Sequence, residues 1–314
     1  MKLLPIIFIA FWRMLCFVHS ADAEDSVLLR YRLLRGDAFT VNSHLSADLS
    51  YSIEKETRTS KIVWDSRLLC RVHEVSDSGD LTLNIVFEHI VLNIRSPDMV
   101  LTHDTRDSTL TTDVLLCVLD VMTSQTLSTT LTAQGEILGI EGFEEITQET
   151  IKRLGMDDSP RVSNIRDAIN LLFGDKYKQA LTSCITRFPE DPLTPGDSWE
   201  SMQELTIISP VQFNTTSILT VLEGNEALLT TRVDFNSLED SLPVTTDGIG
   251  LAMNIKGRMW GSRRVDTNTG LVRFSSQSYE LKGTMKGIFG NETEIIMPLT
   301  YKANIMGNME RIEE

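Results

Sequence analysis

The sequence predicts an α+β protein that is mainly antiparallel β, with two pseudo-repeated β-meanders (curved sheets or half-barrels) bridged by a helical segment. Apolar and polar residues alternate over long stretches, glycine-centred turns separate those stretches, and one central region switches to helical periodicity. The divisions that follow are a leader over 1–23, a β-repeat over 24–142, a helical insert over 143–190 and a second β-repeat over 191–314.

In the first half, Phe39, Val41, Leu45, Leu49, Tyr51 and Ile53 take odd positions, while Thr40, Asn42, His44, Ser46 and Asp48 fill even ones. Side chains of a strand point alternately to its two faces, so this is a long strand with one buried face. The runs 66–76 and 81–94 flank Asp77-Ser78-Gly79-Asp80, whose Ser-Gly centre marks a hairpin turn. Pairing Asp77 with Asp80 sets Cys70 opposite Phe87, Val72 opposite Ile85 and Leu68 opposite His89 on one apolar face. Arg67, Arg71, His73, Asn84 and Glu88 take the other face. Thr112 or Asp113 then caps a short buried helix ending near Met122, although a buried strand has a similar apolar run. A second hairpin pairs 127–132 with 136–141 around Gln134-Gly135.

The central region reads as three helices. The first runs from Phe143 to Leu154 and stops at Gly155. Ser163 caps the second, which continues to Gly174. Asp175 opens the third, with Tyr177, Leu181, Cys184 and Ile185 inward, and Pro189 ends it.

The second half repeats the order of the first. Gly196-Asp197-Ser198-Trp199 matches Gly36-Asp37-Ala38-Phe39, a turn ahead of an aromatic that opens a strand. The hairpin at Gly224-Asn225 matches that at Gly79, and the one at Asp266 to Gly270 matches that at Gly135. A last strand alternates through Ile295, Met297, Leu299, Tyr301, Ala303 and Ile305. Order and spacing, rather than residue identity, support an internal duplication.

Lys2, the apolar stretch from Leu3 to Trp12, and Ala21 and Ala23 before Glu24 form a secretory signal pattern, interrupted by Arg13. That stretch is too short to span a bilayer, so the expected product is exported, periplasmic or extracellular, with no transmembrane segment in the mature chain. Cys16 lacks the small preceding residues of a lipidation site. The formal charge of −15 argues against nucleic acid and anionic membrane surfaces as partners. After the leader, Cys70, Cys117 and Cys184 remain, too few and too scattered for a disulfide framework or a metal site.

Several stations together resemble an uncharacterised family of exported bacterial proteins, a domain of unknown function. They are Tyr31-Arg32 through Gly36-Asp37, the stretch from Ser96-Pro97 to Asp107-Ser108, and Gly135-Glu136-Ile137 before Glu141-Gly142. Phe188-Pro189 to Gly196-Asp197-Ser198-Trp199 and the Asp266 to Gly270 turn before Leu271 complete the set. The resemblance spans nearly the whole mature chain and implies export and a β-rich layout. That family brings no catalytic residues and no cofactor.

No G-x-S-x-G elbow, P-loop, G-x-G-x-x-G or H-E-x-x-H is present. His73 and His89 fall on opposite faces in the register above, and His103 lies in a polar loop with Asp104 and Asp107. Glu144-Glu145 and Asp157-Asp158 stand where carboxylates complement a helix start. Asn214-Thr215-Thr216 and Asn291-Glu292-Thr293 are sequons, meaningful only in a eukaryotic secretory pathway.

The least ordinary cluster is basic. Arg258, Arg263, Arg264 and Arg273 gather with Trp260 on one hairpin, where an anion or sugar could dock on the arginine forks and the indole plane. Given the excess of acids, the favoured reading is that these arginines pair with Asp and Glu on neighbouring strands. The functional expectation is a non-enzymatic binding or structural protein of the cell envelope, with no cofactor or metal and with an apolar or lipid-like ligand as the specific expectation. The ligand cavity is expected along the odd positions of 39–53 with Leu68, Ile85 and Phe87. The alternatives are an envelope hydrolase with an Asp/Glu/His cleft, or an adaptor that binds another envelope protein.

Overall fold

The computed structural model describes residues 26–53, 56–107, 111–156, 162–169, 185–206, 210–237, 244–246, 249–289 and 293–312. The leader, Cys184 and most of the helix expected from Asp175 lie outside them.

The described strands form one curved antiparallel sheet. In chain order they are β1 (Ala38–Ile53), β2 (Glu56–Val75), β3 (Leu81–Arg95), β4 (Val100–Asp104), β5 (Thr126–Leu131) and β6 (Ile137–Glu141). After the helices come β7 (Ser198–Thr206), β8 (Pro210–Glu223), β9 (Glu226–Ser237), β10 (Val244–Thr246), β11 (Ile249–Asp266), β12 (Val272–Phe289) and β13 (Thr293–Ile312). Their spatial order is β6-β5-β3-β2-β1-β13-β12-β11-β9-β8-β7, with β4 on β3 and β10 on β11. The first and last strands are therefore neighbours, and this seam joins the two halves of the chain.

Alternation of side chains makes the inner face continuous. It takes the odd positions of β8, β9, β11, β12, β13 and β1, then the even positions of β2, because Leu45 pairs with Trp64 and Ile305. Among the described residues three helices accompany the sheet: α1 (Val114–Met122), α2 (Phe143–Arg153) and α3 (Val162–Ile169). Asp113 caps α1, its side chain accepting from the Leu116 N–H at 3.1 Å. The helix reading of that apolar run is the correct one. α2 ends at Leu154, followed by Gly155 at φ +64°.

The hairpin between β2 and β3 corrects the expected register. Its loop closes between Ser76 and Asp80, with Asp77, Ser78 and Gly79 at its tip, instead of between Asp77 and Asp80. This three-residue loop, with Gly79 at φ +84°, shifts the pairing by one. An extra residue at His73 shifts it by one more, so Cys70 faces Ile85 and Leu68 faces Phe87. Two single shifts preserve which face each residue occupies. A bulge at Glu88 then reverses the β3 pattern, placing Ile90 and Leu92 inward and His89 against Arg67.

The turns at the positive-φ glycines Gly36, Gly79, Gly135, Gly196, Gly224 and Gly270 lie at one end of the sheet. A strap from Val27 to Leu33 crosses that end: Val27 pairs with Leu193, the Tyr31 N–H donates to Ala133 and the Arg32 N–H to Thr269. Arg30 donates to the carbonyl oxygens of Pro189 and Glu190. The closeness is demanding at Gly270, where a Cβ would fall 2.2 Å from the Arg30 carbonyl oxygen. Leu29, Tyr31 and Leu33 join Leu219, Leu229, Val265, Val272 and Met309 in one core that closes this end.

Candidate functional site

The two halves of the inner face are filled differently. Over β1 to β3, Phe39, Val41, Leu68, Ile85 and Phe87 are buried in the same core as Val118, Leu119 and Val121 of α1. That part of the expected cavity is therefore occupied by a helix, whereas Tyr51, also expected to line it, packs on the second cluster described next. The sequence missed this because a helix shows which side it buries but not which sheet covers it.

Over β8 to β13 a second, separate cluster lines the inner face. Val211, Val233, Phe235, Ile255, Met259 and Leu299 are buried, while Tyr51, Phe213, Met253, Tyr279, Leu281 and Met285 pack on them and stay partly exposed. Phe213 meets Phe235 edge-on at 4.9 Å between ring centroids, and Phe235 lies 5.9 Å from Tyr279. Met253, Met285 and Met297 stand in register across three strands. Methionine supplies flexible, polarisable apolar surface that adapts to what it contacts.

Inward glycines shape this basin. A Cβ on Gly257 would fall 2.1 Å from the Glu280 carbonyl oxygen, and one on Gly283 would fall 1.9 Å from that of Asn254. β11 and β12 close tightly there, as strands do at a sharp bend of a curved sheet. Burial pushes the Tyr301 phenol, on the same inner face, above its ordinary pKa.

A belt of buried polar side chains separates the basin from the closed-end core. Ser217, Thr231, Ser275 and Gln277 belong to it, with Arg263, which is 8% exposed. Register places Ser217 beside Thr231, Thr231 beside Gly261 and Gly261 beside Gln277. Arg263 lies between Leu229 and Ser275. The Tyr279 hydroxyl donates to the Gln277 side-chain oxygen at 2.7 Å, linking basin and belt.

The five residues grouped by sequence are thus divided. Arg258, Trp260 and Arg264 lie on the convex face, Trp260 being 48% exposed. Arg258 stands 3.6 Å from Asp234 and Arg264 3.9 Å from Glu226, both exposed pairs. Arg273 holds Asp266 at the β11–β12 turn. Arg263 alone of the five points inward, a consequence of period two that the sequence already contained in the adjacency of Arg263 and Arg264.

Two histidine–carboxylate pairs were not foreseen. His44 lies 2.6 Å from Asp65 on the convex face, both partly exposed. His103 of β4 lies 2.8 Å from Asp120 of α1, each side chain 10% exposed. Among the described residues, no hydroxyl or thiol is hydrogen-bonded to either ring, and no three His, Cys, Asp or Glu side chains gather as a metal site. A cleft of about 580 Å³ lies between the β5–β6 turn and β7, lined by Gln134, Glu136, Arg187, Trp199 and Met202 among others. The Trp199 indole N–H donates to the Arg187 carbonyl at 3.0 Å, and Arg187 pairs with Glu136 at 3.3 Å, so this cleft's polar groups already serve one another.

Fold and site together define a curved, mainly antiparallel β-protein with helices packed into one half and an apolar basin in the other. The chain belongs to a family of unknown function (DUF6263), which matches residues 78–272. No curated protein matches it. Among solved structures it is similar to lipovitellin, in a study of lipid–protein interactions, at TM-score 0.48 and 9% identity. That match covers 89% of this chain, which spans only 25% of the lipovitellin chain. It is also similar to Pseudomonas aeruginosa OccK7 (OpdD), at TM-score 0.24 and 10% identity over 88% of this chain and 100% of that one. A Pseudomonas putida outer membrane channel gives TM-score 0.21 and 7% identity over 92% and 99%. None of these likenesses bears on what this chain binds. No described helix is long and apolar enough to cross a membrane, which leaves strands out of account.

Proposed function

We propose that this is an exported binding protein of the cell envelope that holds an apolar, lipid-like molecule in the basin over β8 to β13. The observation that carries the reading is the partial exposure of Phe213, Met253, Tyr279, Leu281 and Met285 on the inner face of the sheet. Apolar side chains gathered in a concavity and left partly exposed are what an apolar ligand needs. A packed core has no reason to leave such side chains accessible. Export rests on the leader pattern at Lys2 to Ala23.

An internal duplication supports the same architecture. Asp37 and Asp197 make matching turns: each side chain accepts the N–H three residues back, at 2.8 Å from Leu34 and 2.7 Å from Thr194. Gly36 donates to Val72 and Gly196 to Leu219, and each partner strand carries a bulge just beyond. In this reading one ancestral meander gave two halves. The first took helices into its inner face and the second kept its face for a ligand.

The test is a fluorescence titration with a neutral naphthylamine dye, which brightens in apolar surroundings. Saturable binding to the native chain, reduced at least tenfold by Leu281→Asp but not by Trp260→Ala, is expected. Absence of saturable binding, or equal binding by the Leu281→Asp chain, would overturn the reading.

A further inference from the structure

We infer that the ligand is a single-chain amphiphile with an acidic head group, bound tail-outward with its head at Arg263; this rests on the basin reading above. The inner face over β8, β9, β11, β12, β13 and β1 is apolar or small at most positions. Among the described residues of those strands whose side chains are placed, Arg263 is the inward Lys, Arg, Asp or Glu that is buried; Arg311, at an odd position at the end of β13, is half exposed and paired with Asp37. Arg263, at 8% exposure, stands in the inner row of the polar belt, one row below Gln277, the row that borders the basin.

A cation in such a position is costly unless charge-assisted hydrogen bonds surround it. Arg263 already has contacts of its own. A guanidinium presents five N–H donors in a fixed fork, so it can hold a carboxylate beside those contacts. Gln277 lies two positions along β12 from Ser275, the register partner of Arg263, and offers an amide to the same head. Among the described residues of these strands whose side chains are placed, no carboxylate faces inward to repel an anion.

Toward the open end, the inner rows above Arg263 run Met259 and Tyr279, then Leu281 and Phe235, then Ile255, then Met253 and Met285. The six residue steps from Met259 to Met253 span about 20 Å at the rise of a strand, the length of a long acyl chain. Glycines 257 and 283 put no side chain on the inner face between these rows, where β11 and β12 approach closely. One such row matches a single extended tail, and the guanidinium beside it favours an acidic head over a neutral one.

The experiment compares a long-chain fatty acid with the alcohol of the same length, each displacing the naphthylamine dye from the full-length chain at neutral pH. The acid is expected to bind at least tenfold more tightly than the alcohol, the effect of about 1.4 kcal/mol or more from a charge-assisted bond. Arg263→Met should abolish that preference, and Arg263→Lys should retain part of it. If Arg263→Met does not fold, the acid-to-alcohol ratio of the native chain decides alone. Equal affinities would overturn the head-group assignment while leaving the basin standing. Failure of both to displace the dye would show that the basin itself is misread. A lysophospholipid with an anionic head that binds as well as the acid would support the same contact, with phosphate as its source.

Discussion

Arg311, in the last strand, donates to the carboxylate of Asp37, immediately ahead of the first, at 2.7 Å. This ion pair sits at the end of the β1–β13 seam, where Ala38 pairs with Ile312. The seam joins residues far apart in the chain, so its closure carries a large loop entropy cost and must be held by local bonds. Asp37 also accepts the Leu34 N–H at 2.8 Å, so one carboxylate fixes both the turn and the seam. Asp37→Ala should destabilise the fold by about 1–2 kcal/mol, more than Arg311→Ala, whose side chain is half exposed. Urea denaturation of both variants and of the double variant measures the difference.

Acid should weaken the same positions. At Asp37, burial opposes ionisation, but the Leu34 N–H and Arg311 outweigh it and hold the carboxyl below its ordinary pKa. At Asp266 burial is likewise outweighed, by Arg273 and the N–H groups of Asn268 and Thr269. The Thr194 N–H and hydroxyl lower Asp197. A carboxylate with a depressed folded pKa contributes stability that is full above the unfolded value, about 3.9, and is lost as pH falls through the folded value. Stability should therefore decline from near pH 4 downward. Asp37→Asn and Asp266→Asn should each flatten that decline, as read from urea midpoints across the acid range.

The tight approach of β11 and β12 makes a sharp contrast among glycines. Gly283→Ala would place its Cβ 1.9 Å from the Asn254 carbonyl oxygen, and nothing flexible is there to yield. A loss of roughly 2 kcal/mol or more is expected from the forced backbone shift. Gly139→Ala meets nothing within 4 Å and needs no positive φ, so it should be nearly neutral. Thermal denaturation of the two variants gives the comparison directly.

The helix that fills the first half of the inner face should behave as core. Leu119 is fully buried against the sheet, and Leu119→Ala should cost about 2–5 kcal/mol by leaving a void. It should leave the affinity for an apolar ligand unchanged at temperatures where the chain remains folded, because that helix lies outside the basin. A dye titration on the folded variant checks the second part.

Much of the sheet was legible because its signals are local. Alternation from Phe39 to Ile53, the turns at Gly79, Gly135 and Gly270, and the Asp113 cap each depend on a few adjacent residues. The register of β2 on β3 was misread by two because the three-residue loop at Gly79 and the His73 bulge each shift it by one, and together they leave no mark in a pattern of period two. The location of the basin was not legible. It depends on which half of the inner face the helices enter, a long-range choice that no short window records. The division of Arg263 from Arg258, Trp260 and Arg264 could have been read, since adjacent strand residues face opposite ways.

The most direct test of the central claim is photo-crosslinking with a fatty acid carrying a diazirine near the end of its tail, followed by peptide mapping of the labelled sites. The account predicts adducts on Met253, Leu281, Met285 or Phe213, inside the second half of the sheet. Labelling spread over Trp260, Phe274 and Met306 on the convex face, or no labelling at all, would contradict it.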